Sequence, residues 1–426
     1  GAAEAAGDEE HAAAEVRRLG LDPALDDDHP RDADLLVHGE LGAEHLDGQV
    51  ARDHAERRLA LGDLAEQAPV GRHDHGQAAV GVLAEGQLGV GVDVDDLDDL
   101  ATFVFARTHS ATMAALAHVP MGTSTNTMVV DGYDLPLTLA VTLTVTDDGM
   151  HADFTGTSPI SRYGINVPLG YAEAYFTYAM LVALAPELPN NFASLAPFTV
   201  SAPKGVILNA EHPDPVSVRH VIGHFVTDLT LGAIAHALPE IVPAEGAGAL
   251  WNFQASARQA SPDDPKPPIE LLMFNSGGSG ARPSLDGLTA TAFPSGVRTM
   301  SAEATEQVGP IIIWRKEIRE NSGGAGRQRG GMGQILEVGP TDGYQFEFSA
   351  MFDRVTNPAR GRDGGQDGEP GRVYLSDGTP FPTKGVETVP AGSRLIMELP
   401  GGGGFGDPAE RDPEAQENDR RQGYIR

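Results

Sequence analysis

The first hundred residues of this chain draw on only ten amino acids: Gly, Ala, Val, Leu, Pro, Asp, Glu, His, Gln and Arg. No Ser, Thr, Asn, Lys, Ile, Met, Phe, Tyr or Trp occurs before Thr102. Those ten are the residues that a codon beginning with G or C can encode. A GC-rich gene read in a wrong frame or on the wrong strand would give this restriction, because its GC-saturated third codon position then stands first. Residues 1–100 are therefore expected to be a mistranslated or misassembled stretch. The rival reading is a genuine acidic, low-complexity tail. The stretch holds 25 acids against 7 bases and has neither an aromatic residue nor Ile. Too little apolar surface is present to offset chain entropy, so both readings predict no proper domain there. His73-Asp74-His75 resembles a metal tract, and Asp95, Asp96, Asp98 and Asp99 resemble a calcium loop. Neither is assigned a function, and the acidic run lacks the Gly and distal Glu of an EF-hand.

Residues 101–426 use the full alphabet except Cys and form the expected folded part. The whole chain has a formal charge of −31, of which −13 lies in this part. Such a balance argues against nucleic acid or an anionic membrane as partner, since phosphate contacts need clustered Lys and Arg. The absence of Cys excludes disulfides, thiolate catalysis and Cys-ligated metal centres, and fits a cytoplasmic protein. No apolar run is long enough to span a bilayer, and the first residues lack the pattern of a signal peptide.

Hydrophobic periodicity predicts an α+β fold with mixed and antiparallel sheets. Period-two alternation marks strands at 128–131, 137–146 and 150–154, with Asp147-Asp148-Gly149 as the turn between the last two. Further strands are expected at 198–202, 206–209, 271–274, 311–318, 334–338, 344–351, 372–375 and 394–398. Residues 106–118 read as the tail of a helix, and 171–184 as a helix. The spacing of Val218, Val221, Ile222, Phe225, Val226, Leu229, Ile234 and Leu238 predicts one long buried helix over 217–238. Asp412-Pro413 is an N-cap followed by Pro at the first helical position.

Several motifs carry possible chemistry. His220 and His224 stand four apart, which places two imidazoles on one helix face, as in zincins. Val221 occupies the place of the zincin Glu, so this is a weak metal candidate. The segment Asn-Ser-Gly-Gly-Ala-Gly-Arg-Gln-Arg-Gly-Gly-Met-Gly (321–333) could cradle an oxyanion through backbone N–H groups around Gly324 and the guanidinium groups of Arg327 and Arg329. A glycine-dependent connection between two strands explains it equally well. Gly277 and Gly278, followed by Arg282, form a second loop of that kind, and a tight turn is again the plain alternative. Glu303 and Glu306 share a helix face beside Arg298, which suits acid–base work or a solvated charge pair. The run Pro-Gly-Gly-Gly-Gly-Phe-Gly-Asp-Pro (400–408) puts Gly402 and Gly403 where a ligand, another backbone or another subunit approaches too closely for a side chain.

Taken together, these motifs resemble the hydantoinase B/5-oxoprolinase family. The resemblance rests on the 400–408 run followed by Glu-Arg-Asp-Pro-Glu-Ala (410–415), and on Trp-Arg-Lys-Glu-Ile-Arg (314–319) leading into 321–333. It rests also on Asp-Phe-Thr-Gly-Thr-Ser-Pro (153–159), Ile-Asn-Val-Pro (165–168), Leu-Pro-Asn-Asn (188–191) and the 275–280 loop. It covers about 105–423 in the right order. The resemblance implies a B-type subunit of an ATP-dependent enzyme that opens a cyclic amide such as a hydantoin, an N-methylhydantoin or 5-oxoproline. An A-type partner subunit would bind ATP with Mg²⁺ and phosphorylate the amide oxygen. Related large subunits of acetone and acetophenone carboxylases make ketone carboxylation the alternative, and a non-catalytic or inactive fragment is a third. In this reading Arg282, Arg298, Arg327, Arg329 and the glycine loops hold the oxyanion, while Glu303 or Glu306 is the base. The family's divalent-metal motifs, of the Thr-His-x-x-Asp and His-His-x-Asp type, would fall within 1–100 and are absent there. Peptide mass mapping of residues 1–105, together with six-frame translation of the encoding DNA, tests the frame hypothesis. The expected result is another frame that carries both motifs and joins Phe103; peptides matching the printed residues throughout would overturn it.

Overall fold

The computed structural model describes residues 97–248, 250–261 and 267–426. The 1–100 stretch, His73-Asp74-His75 and the acidic run at 95–99 thus lie outside the described residues, save for the helical backbone from Leu97. That helix, α1 (Leu97–Leu116), runs without interruption across the compositional boundary at Thr102. It begins nine residues earlier than the expected tail.

Next come β1 (Gly122–Val130), β2 (Leu137–Thr146) and β3 (Gly149–Asp153), then α2 (Leu169–Leu184), the short α3 (Phe192–Leu195) and β4 (Phe198–Ser201). The strands form one sheet in the order β1-β2-β3-β4, antiparallel except for the parallel pair β3–β4. Alternation explains its two faces. Leu139, Val141, Leu143 and Val145 point into the first core with Met128, Met150 and Phe198, while Thr138 and the Thr123–Thr144 pair stay on the outer face. Residues 206–209 form a turn rather than a strand, with a single bridge from Val206 to Pro159.

The expected long helix over 217–238 is corrected in length. It is divided into α4 (His220–Gly223) and α5 (Phe225–Ile234). His224 keeps helical torsion angles, but its carbonyl accepts from Thr227 three residues on, at 3.3 Å. The ladder tightens locally in the manner of a 3₁₀ turn, so the direction of the chain persists while the α pattern does not. The expected apolar face is buried, with Phe225, Val226 and Leu229 against the first sheet and α2.

The second half is all antiparallel around its own core. The strands are β5 (Trp251–Gln259), β6 (Ile269–Asn275), β7 (Ile311–Ile318), β8 (Gln334–Pro340), β9 (Tyr344–Met351), β10 (Arg372–Leu375), β11 (Lys384–Val389) and β12 (Leu395–Glu398). They build two four-stranded sheets, β11-β9-β5-β6 and β10-β12-β8-β7. Both sheets feed one core in which Trp251 stacks on Phe352 at 4.4 Å and Phe253 meets Phe346 and Phe348. The short α6 (Ala302–Glu306) precedes β7, and α7 (Pro413–Arg421) is the last helix. Asp412 caps α7 as its sequence predicts, accepting from Glu414 N at 3.2 Å.

Where the glycine-rich segments meet, backbone packs on backbone. Successive N–H groups of 401–406 leave in three directions. Gly401 and Gly404 donate to Glu369 and Gln366, Gly402 and Phe405 to Gly331 and Gln328, and Gly403 and Gly406 to Glu245 and Arg362. A return to the same direction every third residue is the signature of an extended helix with three residues per turn. Such a helix has no internal hydrogen bonds, so neighbouring segments must satisfy its groups. The carbonyls complete the lattice: Pro400, Gly402 and Gly403 accept from Gly278, Gly324 and Ala281. The spacing leaves no room for side chains. A Cβ on Gly402 would sit 2.0 Å from the Ser279 carbonyl oxygen, and one on Gly330 would sit 2.0 Å from that of Gly402.

Gly402→Ala is therefore expected to cost at least about 3 kcal/mol through overpacking against rigid backbone. Gly170→Ala, in α2 with nothing within 4 Å of the new Cβ, should be neutral or stabilising by up to about 1 kcal/mol. Urea unfolding midpoints of the two variants, at equal slope, check both outcomes.

Candidate functional site

Between the first core and the glycine lattice lies a buried charge cluster. The middle of α5 supplies Asp228, the 244–248 segment supplies Glu245, and the turn after β9 supplies Arg354. Relative exposures of 5%, 2% and 2% exclude solvent from all three. The Arg354 guanidinium lies 3.1 Å from Glu245 and 3.5 Å from Asp228, and sits over the Phe225 ring at 4.8 Å. Arg360 adds a bond from Nε to Glu245 Oε1 at 2.6 Å and another from its backbone N–H to Oε2 at 3.1 Å. Asp228 accepts from the Gly246 N–H at 3.2 Å. Arg354 holds a left-handed backbone with φ of 63°, a strained state for a residue with a Cβ. Its carbonyl accepts from Gly371 N at 2.8 Å, which helps to fix that conformation.

Burial and proximity divide the two acids. Burial pushes the Asp228 carboxyl up to about 7, with the Glu245 charge acting in the same direction. Burial also pushes Glu245 up, but Arg354 and Arg360 outweigh it and hold this carboxyl below its usual range. Two carboxyl groups pushed apart in this way make a possible acid and base pair. Only Arg360, with 47% of its side chain exposed, connects the cluster to solvent. No substrate atom can reach Asp228 in this arrangement, so the cluster acts directly on the folded state.

On the same helical segment, the His220 and His224 rings are 5.8 Å apart. The His220 Nε2 lies 2.8 Å from the Asn252 amide nitrogen, which fixes Nε2 as the acceptor. His224 is pushed down to about 4 by burial and by His220, against a hydrogen bond that its ring donates to the Gly248 backbone. Tyr175 lies 5.1 Å from its ring. Beside them is a void of about 10 Å³ lined by His220, Asn252, Gln254 and Ser349, about the volume of one water. A divalent ion needs at least a third protein ligand, and the Asn252 amide nitrogen facing His220 supplies none. Among the described residues no three His, Cys, Asp or Glu are placed to hold a metal. Among the described residues, His220 and His224 therefore lack the further ligands that a divalent metal needs.

The remaining expected site residues fall into three places. Gly278, Gly324, Gly402 and Gly403 belong to the backbone lattice, and their N–H groups donate to Pro400, Gly402, Gly331 and Glu245. Gly277 packs against Ala247 and Pro400. These donors are already spent, and that is the physical argument against an oxyanion cradle made of their backbone. Arg329 is enclosed, 3.2 Å from Asp419 of α7 and 4.8 Å over Tyr424, while Arg327 pairs with Glu410 at 3.2 Å. Arg282 donates to the Asp286 carbonyl and leaves a buried Nε without a partner. Arg298 and Glu303 are exposed on the segment before β7, and Glu306 accepts from Ile313 N at 2.8 Å. No hydrogen bond or ion pair joins these three to the arginines of the glycine loops among the described residues.

Asp228, Glu245, Arg354 and Arg360 are the residues that sequence reasoning missed. The available signal was a single acid, Asp228, inside the apolar run 225–234. Among the described residues, no helix is long and apolar enough to cross a membrane.

Comparison with known proteins adds the following. The family model described as hydantoinase B/oxoprolinase matches residues 77–408, and so begins inside the restricted-alphabet stretch. A Pseudomonas sp. (strain NS671) protein named as the B-type subunit of a D-/L-hydantoinase is 31% identical over 333 residues, covering 73% of this chain and 55% of that protein. An Arabidopsis thaliana protein named 5-oxoprolinase 1 is 31% identical over 60% of this chain and 19% of its own length. The chain thus spans about half the length of the first of these relatives, and far less of the second. The fold is similar to that of an ATP-dependent caprolactamase from Pseudomonas jessenii, with a TM-score of 0.66, 22% identity and coverage of 82% of this chain and 62% of that one. An acetone carboxylase structure gives a TM-score of 0.62 at 17% identity, covering 82% and 53%.

The two shifted groups on α5 and its start make opposite demands on stability. Between about 4 and 7, folded Asp228 keeps a proton that the unfolded chain releases, so its contribution falls as pH rises. Between about 4 and 6.5, folded His224 lacks a proton that the unfolded chain holds, so its contribution grows as pH rises. Asp228→Asn should therefore steepen the gain in unfolding free energy from pH 4.5 to 6.5 relative to the parent. His224→Gln should turn the profile the other way. Urea titrations at several pH values read both, and parallel profiles for all three proteins would show the assignment wrong.

Proposed function

Because the chain belongs to the hydantoinase B/oxoprolinase family, we propose that it is the B-type part of an ATP-dependent enzyme that opens a cyclic amide. The family match across 77–408 carries this reading. The similarity to a protein named as the B-type component of a hydantoinase supports it. Its partner would be an A-type subunit that binds ATP with Mg²⁺, and both would work in the cytoplasm, where ATP is supplied. The chemistry explains the need for ATP. An amide carbonyl is a poor electrophile, and transferring the γ-phosphoryl group to its oxygen gives an imidate-type phosphate that water can attack. Addition of water at that carbon lets the ring nitrogen leave as an amine, which breaks the C–N bond and leaves an acyl phosphate. A second water then hydrolyses this to the carboxylate and free phosphate.

Within this chain the exposed 296–308 segment is the proposed contribution to that step. The Glu303 carboxylate would take the proton of the attacking water, with Glu306 next to it on α6. Arg298 and Arg282, both with unspent guanidinium donors, would hold the phosphate charge. Ketone carboxylation is the second reading, and the similarity of fold to an acetone carboxylase supports it.

Co-expression with an A-type subunit and measurement of ADP release separates the readings. Stimulation by hydantoin or 5-oxoproline is expected, with none by acetone plus bicarbonate. The reverse pattern would replace the proposal with the carboxylase reading, and no stimulation by either would overturn both. Arg298→Ala and Glu303→Gln should each lower ring opening about 10²-fold. Both side chains are exposed, so thermal midpoints should not move.

A further inference from the structure

A cavity of about 430 Å³ opens on the outer face of the β10-β12-β8-β7 sheet. Ile335 and Glu398 face each other in register there, and Glu317 stands opposite Ile335 on the next strand. Leu336 and Met397, their neighbours in sequence, point into the core. The volume lies within the range of small-molecule sites. None of its lining residues belongs to the cluster on α5 or to the 296–308 segment.

The charges around this cavity are only partly spent. Arg319 forms the buried floor. Its Nη1 donates to the carbonyls of Pro370 and Leu399 at 2.7 and 3.1 Å, and its Nη2 lies 3.3 Å from Glu398. Glu398 also accepts from the Tyr374 hydroxyl at 2.8 Å. Arg315 uses Nε on Glu317 at 2.6 Å and has Nη1 3.9 Å from Glu337, which leaves Nη2 free. Glu369 is exposed, and its carboxylate has no hydrogen bond or ion pair among the described residues. Ile335 supplies an apolar patch between Glu317 and Glu398. Arg426, with Nε on Glu320 at 2.6 Å, also lines the cavity, which therefore offers unspent guanidinium donors on Arg315 and Arg426, a spare carboxylate and an aliphatic patch together.

This combination selects its ligand by exclusion. A bare cation would face the Arg319 floor, and an anion such as phosphate would face Glu317, Glu369 and Glu398. A molecule carrying one charge of each sign satisfies spare groups of both signs without leaving either sign unmatched. We infer that this cavity is a binding site for a free zwitterionic amino acid with an aliphatic side chain. The carboxylate of the ligand takes Arg315, its ammonium takes Glu369, and its side chain lies on Ile335. The inference stands apart from the cyclic-amide reading.

Isothermal titration of the full chain with L-leucine tests it, alongside 4-methylpentanoate, which lacks the ammonium, and 3-methylbutylamine, which lacks the carboxylate. Leucine is expected to bind, and each half-molecule to bind at least about tenfold more weakly, since each forfeits one charge-assisted hydrogen bond. Glu369→Gln should weaken leucine and the amine while leaving the acid unchanged, and Arg315→Ala should do the reverse. Both positions are on the surface, so thermal midpoints of the ligand-free variants should match the parent. No heat with leucine at about 10 mM, equal binding of the half-molecules, or parent-like leucine binding by both variants would each overturn the inference.

Discussion

Backbone-to-backbone packing among the glycine segments is the constraint on which the rest of this structure depends. Five stretches distant in sequence, near 245, 280, 328, 366 and 403, exchange N–H and carbonyl groups at the spacing of bare peptide chains. The glycines themselves have no side chains to bury, so hydrogen bonding must supply much of the cohesion that apolar contact supplies in the two cores. The lattice also fixes what lies around it. Glu245 reaches the lattice through its backbone carbonyl and the charge cluster through its carboxylate. Arg329 leaves it to hold α7, whose one buried residue, Asp419, pairs with Arg329 and Arg411.

The buried charges follow from the same geometry. Arg354, Asp228 and Glu245 sit where α5 meets the lattice, in a place with no water to solvate them. Arg354 and Arg360 match the two carboxyl groups in number, but both lie closest to Glu245, so burial and the Glu245 charge keep Asp228 protonated to near neutrality. A second junction is built differently. Asp131, just past β1, accepts from the backbone N–H groups of Val355, Thr356 and Asn357, while Asp353 pairs with Lys384 at 3.1 Å. Breaking either junction would leave an uncompensated charge in a dry interior, which costs more than the pair itself contributes.

Much of the regular structure was legible in the sequence because alternation and burial agree there. Leu137–Thr146, Ile311–Ile318, Tyr344–Met351 and Arg372–Leu375 have the bounds that period-two reading assigns. The missed strand Trp251–Gln259 does alternate, but its inward Ala255 and Ala257 are weak hydrophobic markers. Lys384–Val389 lies at a sheet edge with three exposed residues in a row, so no face could be read from it. The family was legible from loops rather than strands, and the match to hydantoinase B/oxoprolinase bears it out. The charge cluster was not legible, because Asp228, Glu245, Arg354 and Arg360 come from four places that only the fold brings together. The close approach of the glycines was foreseen at 400–404, and of the three expected partners it is another backbone, that of distant segments of this chain, that lies there.

A threefold helix has a phase as well as a path. Each residue of 401–406 aims its donor about a third of a turn from the last, and three different neighbours wait at those angles. Adding or removing one residue within the run would swing every later donor toward the wrong neighbour, much as a one-residue slip turns a strand over. Three residues together would restore the phase. Only a step of one full turn keeps that phase, a reading-frame rule written in peptide geometry.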